Sequence, residues 1–112
     1  MFKMPVGLYE KALPAALSWE ERLVAAGQAG YDCVEISIDE SDERLSRLDW
    51  TNSQKAELHR SIANSGVRIM TMCLSGHRKY PSGSHSPELR RQGQNILRKS
   101  IEFAGDIGLR VV

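Results

Sequence analysis

The sequence is short of the features that announce a chemistry. Its 112 residues include two cysteines, Cys33 and Cys73, with no Cys-x-x-Cys spacing and no nearby pair of histidines. That excludes a zinc ribbon or a disulfide framework and predicts free thiols in a reducing cytoplasm. No apolar run is long enough to cross a membrane, and Met1 to Gly7 lacks the apolar stretch of a signal peptide. The formal net charge is +1 with no large block of one sign, so a nucleic-acid partner has no electrostatic footprint here. There is no P-loop, no dinucleotide glycine signature and no calcium loop: Asp39, Glu40, Asp42 and Glu43 lack the glycine and terminal glutamate of the last. These four acids are expected to form a solvated, helix-capping run. What remains, 41% hydrophobic and 26% charged, is the composition of a soluble globular chain sized for at most one ordinary domain.

The chain is punctuated three times in the same way. Gly30, Gly66 and Gly108 each follow a helical pattern and each open a β-prone run: Tyr-Asp-Cys-Val-Glu, Val-Arg-Ile-Met-Thr and Leu-Arg-Val-Val. A glycine just past a helix accepts the left-handed conformation that stops it. The resulting order is four strands alternating with three helices, a βαβαβαβ run that favours a parallel sheet or barrel. The strands are expected at Val6 to Tyr9, Asp32 to Ile38, Ile69 to Ser75 and Leu109 to Val112. Ser18 with Glu21, and Thr51 with Gln54, form capping boxes that start the first two helices. Ser86 and Pro87 supply an N-cap and a first helical residue for the third. Its inner face is expected to carry Leu89, Gly93, Ile96, Leu97, Ser100, Ile101, Ala104 and Ile107.

The second strand alternates, with Val34, Ile36 and Ile38 on one side and Cys33, Glu35 and Ser37 on the other. The third sets Met70, Met72 and Leu74 against Thr71, Cys73 and Ser75, with Ile69 out of phase. A strand covered by helices on both faces would read as continuously apolar, so a polar inner face points to a barrel lumen leading to a site. The expected fold is half of a TIM (β/α)8 barrel, with residues 1–112 its amino-terminal half, apparently truncated in the fourth strand. Unpaired strand edges in such a half predict self-association, a homo-oligomer.

Four blocks carry a resemblance. Gly7 to Pro14, Val34 to Glu40, Asp42 to Trp50 and Met72 to Arg78 together resemble the amino-terminal part of the L-ribulose-5-phosphate 3-epimerases. That family, also called L-xylulose-5-phosphate 3-epimerases or hexulose-6-phosphate isomerases, belongs to the xylose-isomerase-like TIM barrels. The resemblance implies a cytoplasmic isomerase of bacterial L-ascorbate utilisation, acting on a ketopentose or ketohexose phosphate, with no membrane or nucleic-acid partner. It implies a divalent metal ion stabilising an enediolate while two carboxylates exchange the carbon proton. In the family those residues come from later strands, so the metal ligands are expected beyond Val112, with no catalytic residue in this chain and a fragment inactive alone. The alternative is a non-catalytic, flavodoxin-like module holding a phosphorylated ligand at its strand ends. A barrel nuclease is disfavoured by the near-zero charge.

What the resemblance carries over is a pocket wall: the loops after Glu10, Asp39 and Ser75 lie at the catalytic face of such a barrel. The expected substrate-binding residues are Glu10, Glu35, His77 and Arg78. Glu35, in mid-strand and facing a lumen, would be desolvated toward its protonated form, or else be a structural carboxylate met by a neighbouring strand. His77 and Arg78 directly follow the third strand, where a bidentate arginine suits a phosphate; the other reading is a solvated loop. Ser82-Gly83-Ser84 reads as ordinary loop chemistry, and Cys73, Met70 and Met72 read as core.

Overall fold

The computed structural model describes residues 3–112. Three parallel strands, β1 (Gly7–Tyr9), β2 (Cys33–Ile38) and β3 (Arg68–Leu74), lie side by side in chain order. Three helices connect and follow them: α1 (Trp19–Gln28), α2 (Asn52–Ser65) and α3 (Pro87–Ile107). Sequential neighbours in parallel require every crossover to run over the same face, the arrangement of a curling barrel wall. A flavodoxin-like order would have placed the first strand between the second and third, so the topology sets that alternative aside. The expected fourth strand reduces to a single parallel bridge, Thr71 to Val111. The Met72 N–H donates to the Val111 carbonyl (2.9 Å) and the Arg110 N–H to the Met70 carbonyl (3.1 Å).

Local chemistry explains the helix ends. Ser18 and Thr51 each accept from the third helical N–H while Glu21 and Gln54 reach back, so both capping boxes form. Ser86 caps α3 with Pro87 in its first turn. Gly66 (φ +69°) and Gly108 (φ +79°) close α2 and α3 in the left-handed conformation. Between β2 and α2 the chain makes one helical turn, Asp42–Leu45, and a 3-10 turn, Ser46–Asp49.

The core lies between the helices and one face of the sheet. Leu23 and Ala26 of α1, Val34, Ile36 and Ile38 of β2, and Leu58 of α2 are sealed from water. Phe103 of α3 joins them and meets the Trp50 ring edge-on at 5.8 Å. Two expectations fail here. Leu97 and Ile101 are 42% and 59% exposed, because the buried face of α3, which steps through Gly93, Ile96, Ser100, Phe103, Ala104 and Ile107, is centred roughly 70° and 110° around the helix from them. Met70 is only half-buried, whereas Ile69 and Met72 are core. The cause is a bulge: Val34 pairs with Ile69 but Glu35 with Thr71, so Met70 is the extra residue and the alternation resets across it.

The β3–α3 loop is pressed flat onto α3 at Gly93. A Cβ there would stand 2.5 Å from the Tyr80 carbonyl and 3.3 Å from the Ser82 nitrogen, whereas one at Gly105, in the same helix, would meet nothing. Gly93→Ala is therefore expected to destabilise the chain by about 1–3 kcal/mol through forced backbone movement. Gly105→Ala is expected to stabilise it by roughly 0.5–1 kcal/mol by helix propensity. Urea titrations of the two variants check the sign of each.

Candidate functional site

The carboxyl ends of the strands gather the polar chemistry. Strand alternation sends Tyr9, Glu35, Ser37, Thr71 and Cys73 to the face of the sheet opposite the core, where a barrel has its lumen. Tyr9 donates its hydroxyl proton to Ser37 Oγ (2.9 Å), and Thr71 donates to Glu35 Oε2 (2.7 Å). Burial raises the Tyr9 phenol above its ordinary pKa; the Ser37 bond pulls it back and the Cys73 thiol pushes it up again. Glu35 is half-buried and, among the described residues, accepts this one side-chain hydrogen bond, on Oε2. Cys33 and Cys73 are free thiols and only half-buried.

Glu10 points the other way, behind the sheet, and is 2% exposed. Its Oε1 accepts the Ser37 backbone N–H and Arg47 Nη1, while Oε2 accepts Arg47 Nη2 at 3.1 Å. Arg22 Nη1 and Arg44 Nε stand 3.7 and 3.9 Å from Oε2. A carboxylate held by a bidentate guanidinium and a backbone amide has no free lone pair facing the lumen.

Asp39 continues the network at the rim. Lys11 Nζ lies 2.8 Å from its Oδ2 and Arg44 Nη1 3.4 Å, and Ser41 gives Oδ1 both its N–H and its hydroxyl. At 6% exposed, Asp39 is not part of a solvated run, which corrects the sequence expectation. The cap of the turn that follows is Ser41, which accepts the Arg44 N–H, with Asp42 and Glu43 in its first turn. Burial pushes the Asp39 carboxyl up, but the Lys11 ammonium and the two Ser41 donors outweigh it and hold the group well below the usual carboxylate range.

His77 and Arg78 lie in a 3-10 turn, Gly76–Arg78, directly after β3. Arg78 is exposed at the rim. His77 is half-buried and turned onto α3, where Nε2 donates to the Gly93 carbonyl (2.9 Å), leaving Nδ1 as the ring's acceptor. The four residues singled out from sequence thus divide: Glu35 and Arg78 present free atoms, whereas Glu10 and His77 are engaged by the fold. Lys11, Arg22, Arg44 and Arg47 were missed; nothing in their spacing marks them, although four cations flanking two strand ends that each finish in a carboxylate is a usable signal. Among the described residues no three of His, Cys, Asp and Glu come together to hold a metal ion.

Because the Asp39 pKa is depressed in the folded state, its contribution is complete above the unfolded carboxylate range and is lost as pH falls through the lower folded value. Asp39→Asn is expected to cost about 2 kcal/mol at pH 7. The gap to the parent chain narrows only below about pH 4, and urea midpoints across that range measure it.

Comparison with known proteins agrees with this geometry. L-ribulose-5-phosphate 3-epimerase UlaE of Salmonella heidelberg (strain SL476) is 52% identical over 110 residues, and that of Escherichia coli O157:H7 53%. Each alignment covers 98% of this chain and 39% of the relative, so the chain spans about two fifths of the length of the curated relatives it matches. A crystal structure of D-psicose 3-epimerase, determined in the presence of D-fructose, superposes with a TM-score of 0.75 over 96% of this chain and 36% of its own. At 11% identity that likeness concerns the fold. The family model of the xylose isomerase-like TIM barrel matches residues 23–112, and with the sequential parallel strands and polar inner face already described, the chain belongs to the xylose isomerase-like TIM barrel family.

Proposed function

We propose that this chain forms the first strands and part of the substrate-facing wall of a sugar-phosphate epimerase that interconverts L-ribulose 5-phosphate and L-xylulose 5-phosphate. The observation that carries the reading is the identity of 52–53% across 98% of the chain with proteins named L-ribulose-5-phosphate 3-epimerase. The lumen face supports it. A sugar phosphate needs hydroxyl acceptors and donors along its carbon chain and a cation at its phosphate end, and Glu35, Tyr9 and Arg78 are of those kinds.

In this reading Glu35 accepts a sugar hydroxyl and Arg78 meets the phosphate. Glu10 and His77 act through others: Glu10 holds Arg47 and the Ser37 backbone, and His77 holds the loop that carries Arg78. The proton exchange at carbon and the metal that would assist it belong to residues other than those described, so the chain by itself is expected to be inactive.

The test is a chimera joining residues 1–112 to the part of the Escherichia coli O157:H7 relative that follows its aligned region. It is expected to epimerise L-ribulose 5-phosphate, to lose activity on chelation of divalent metal, and to show a KM raised about tenfold with kcat nearly unchanged in Arg78→Met. A folded chimera inactive on this substrate, under conditions where the E. coli relative is active, overturns the assignment.

A further inference from the structure

Behind the sheet, on the opposite side of Glu10 from the lumen, lies a cleft of about 330 Å³ between the start of α1 and the connection from β2 to α2. No strand residue lines it. Its walls include Ser18, Trp19, Arg22, Glu43, Arg47 and Trp50. We propose that this cleft is a binding site for a small tetrahedral oxyanion, inorganic phosphate or a phosphomonoester, held by Arg22 and Arg47 against the Trp19 ring.

Three observations carry it. The side chains of Arg22 and Arg47 are 7% and 4% exposed, yet both face the cleft. Their guanidinium carbons stack over the Trp19 ring, 4.9 and 5.1 Å from its centroid, which fixes both forks in place. Arg22 donates Nη2 to the Ala15 carbonyl (2.8 Å), while Nη1, 3.7 Å from Glu10, has no hydrogen-bond acceptor among the described residues. That nitrogen is left free to donate into the cleft.

The charges lean the same way. Lys11, Arg22, Arg44 and Arg47 stand against Glu10, Asp39 and, on the cleft itself, Glu43, so the cluster holds one more cation than anions. Burial lowers the Arg22 pKa, Glu10 partly restores it, and Arg47 and Arg44 lower it again. Glu43, exposed at the mouth, is the remaining carboxylate on the cleft and repels an entering anion. A phosphate offers Arg22 an acceptor and the excess cation a counter-ion, while Arg47, whose fork is held by Glu10 and the Ser37 carbonyl, adds its charge from behind. The cleft has no lumen-facing strand residue in its walls, and the proposal does not rest on the epimerase reading.

Both tryptophans of the chain line the cleft, so intrinsic fluorescence reports on it directly. Titration with inorganic phosphate at fixed ionic strength is expected to give a saturable change with half-saturation of about 1 mM. Glu43→Gln is expected to tighten it about fivefold by removing the repelling charge, and Arg22→Gln to weaken it at least about tenfold. Should Arg22→Gln not fold, Ser46→Asp, which sets a carboxylate in the same mouth, is expected to abolish the response. Glycerol 3-phosphate in a parallel titration separates the sources: tighter binding than phosphate marks a phosphomonoester site, weaker binding a free-phosphate site. A response reproduced by chloride at the same ionic strength, a linear response, or a half-saturation unmoved by Glu43→Gln overturns the proposal.

Discussion

A carboxylate buried at the end of a strand is tolerable only if its charge is met in full, and Glu10 imposes that condition on the whole upper edge of the sheet. Moving such an ion out of water costs several kcal/mol even after relaxation, and the cost is offset only when partners are close and every lone pair is used. Glu10 meets most of that demand with three hydrogen bonds, from Arg47 and the Ser37 amide, and with the charges of Arg22 and Arg44 close by. Those partners come from β2, from the first turn of α1 and from the connection between β2 and α2. One side chain therefore ties four segments, two of them by hydrogen bonds and α1 by an ion pair, and removing it leaves buried guanidiniums without that anion.

The consequence for the lumen is indirect. Because the Ser37 backbone is fixed by Glu10 from behind, its side chain is held toward Tyr9 on the other face. The bulge at Met70 does comparable work on β3, turning Thr71 toward Glu35 while keeping Ile69 and Met72 against the helices. The outcome is a wall with hydrocarbon on one side and hydroxyls, a thiol and a carboxylate on the other. Such a wall can face a polyhydroxylated ligand, because its polar atoms are paired along the sheet and still present unused lone pairs toward the lumen.

Much of this was legible in the sequence because it is local. The Ser18, Thr51 and Ser86 caps and the stops at Gly66 and Gly108 depend on residues within a turn of one another, and each formed where the spacing placed it. The division of β2 into apolar and polar faces follows from period two and also held. What escaped is non-local. The Glu10–Arg47 pair spans 37 residues of sequence. The bulge depends on how β3 registers against β2, which no pattern within β3 reveals. Phe103 lies on the inner face of α3 where Leu97 and Ile101 do not, and which arc of a helix faces inward depends on how it docks on distant elements. His77 lies in the turn where the sequence placed it, yet its ring is captured by that same helix.

The most direct measurement of this dependence is amide hydrogen exchange on the parent chain and Glu10→Gln. If Glu10 is the common anchor, the variant exchanges faster at Ser37 and, together with it, through the Glu10–Ala12 turn and the Asp42–Asp49 connection, while the interior of α2 keeps its protection. Unchanged rates at Ser37 and in the Asp42–Asp49 connection would contradict the account, because those segments would then hold their positions without the carboxylate.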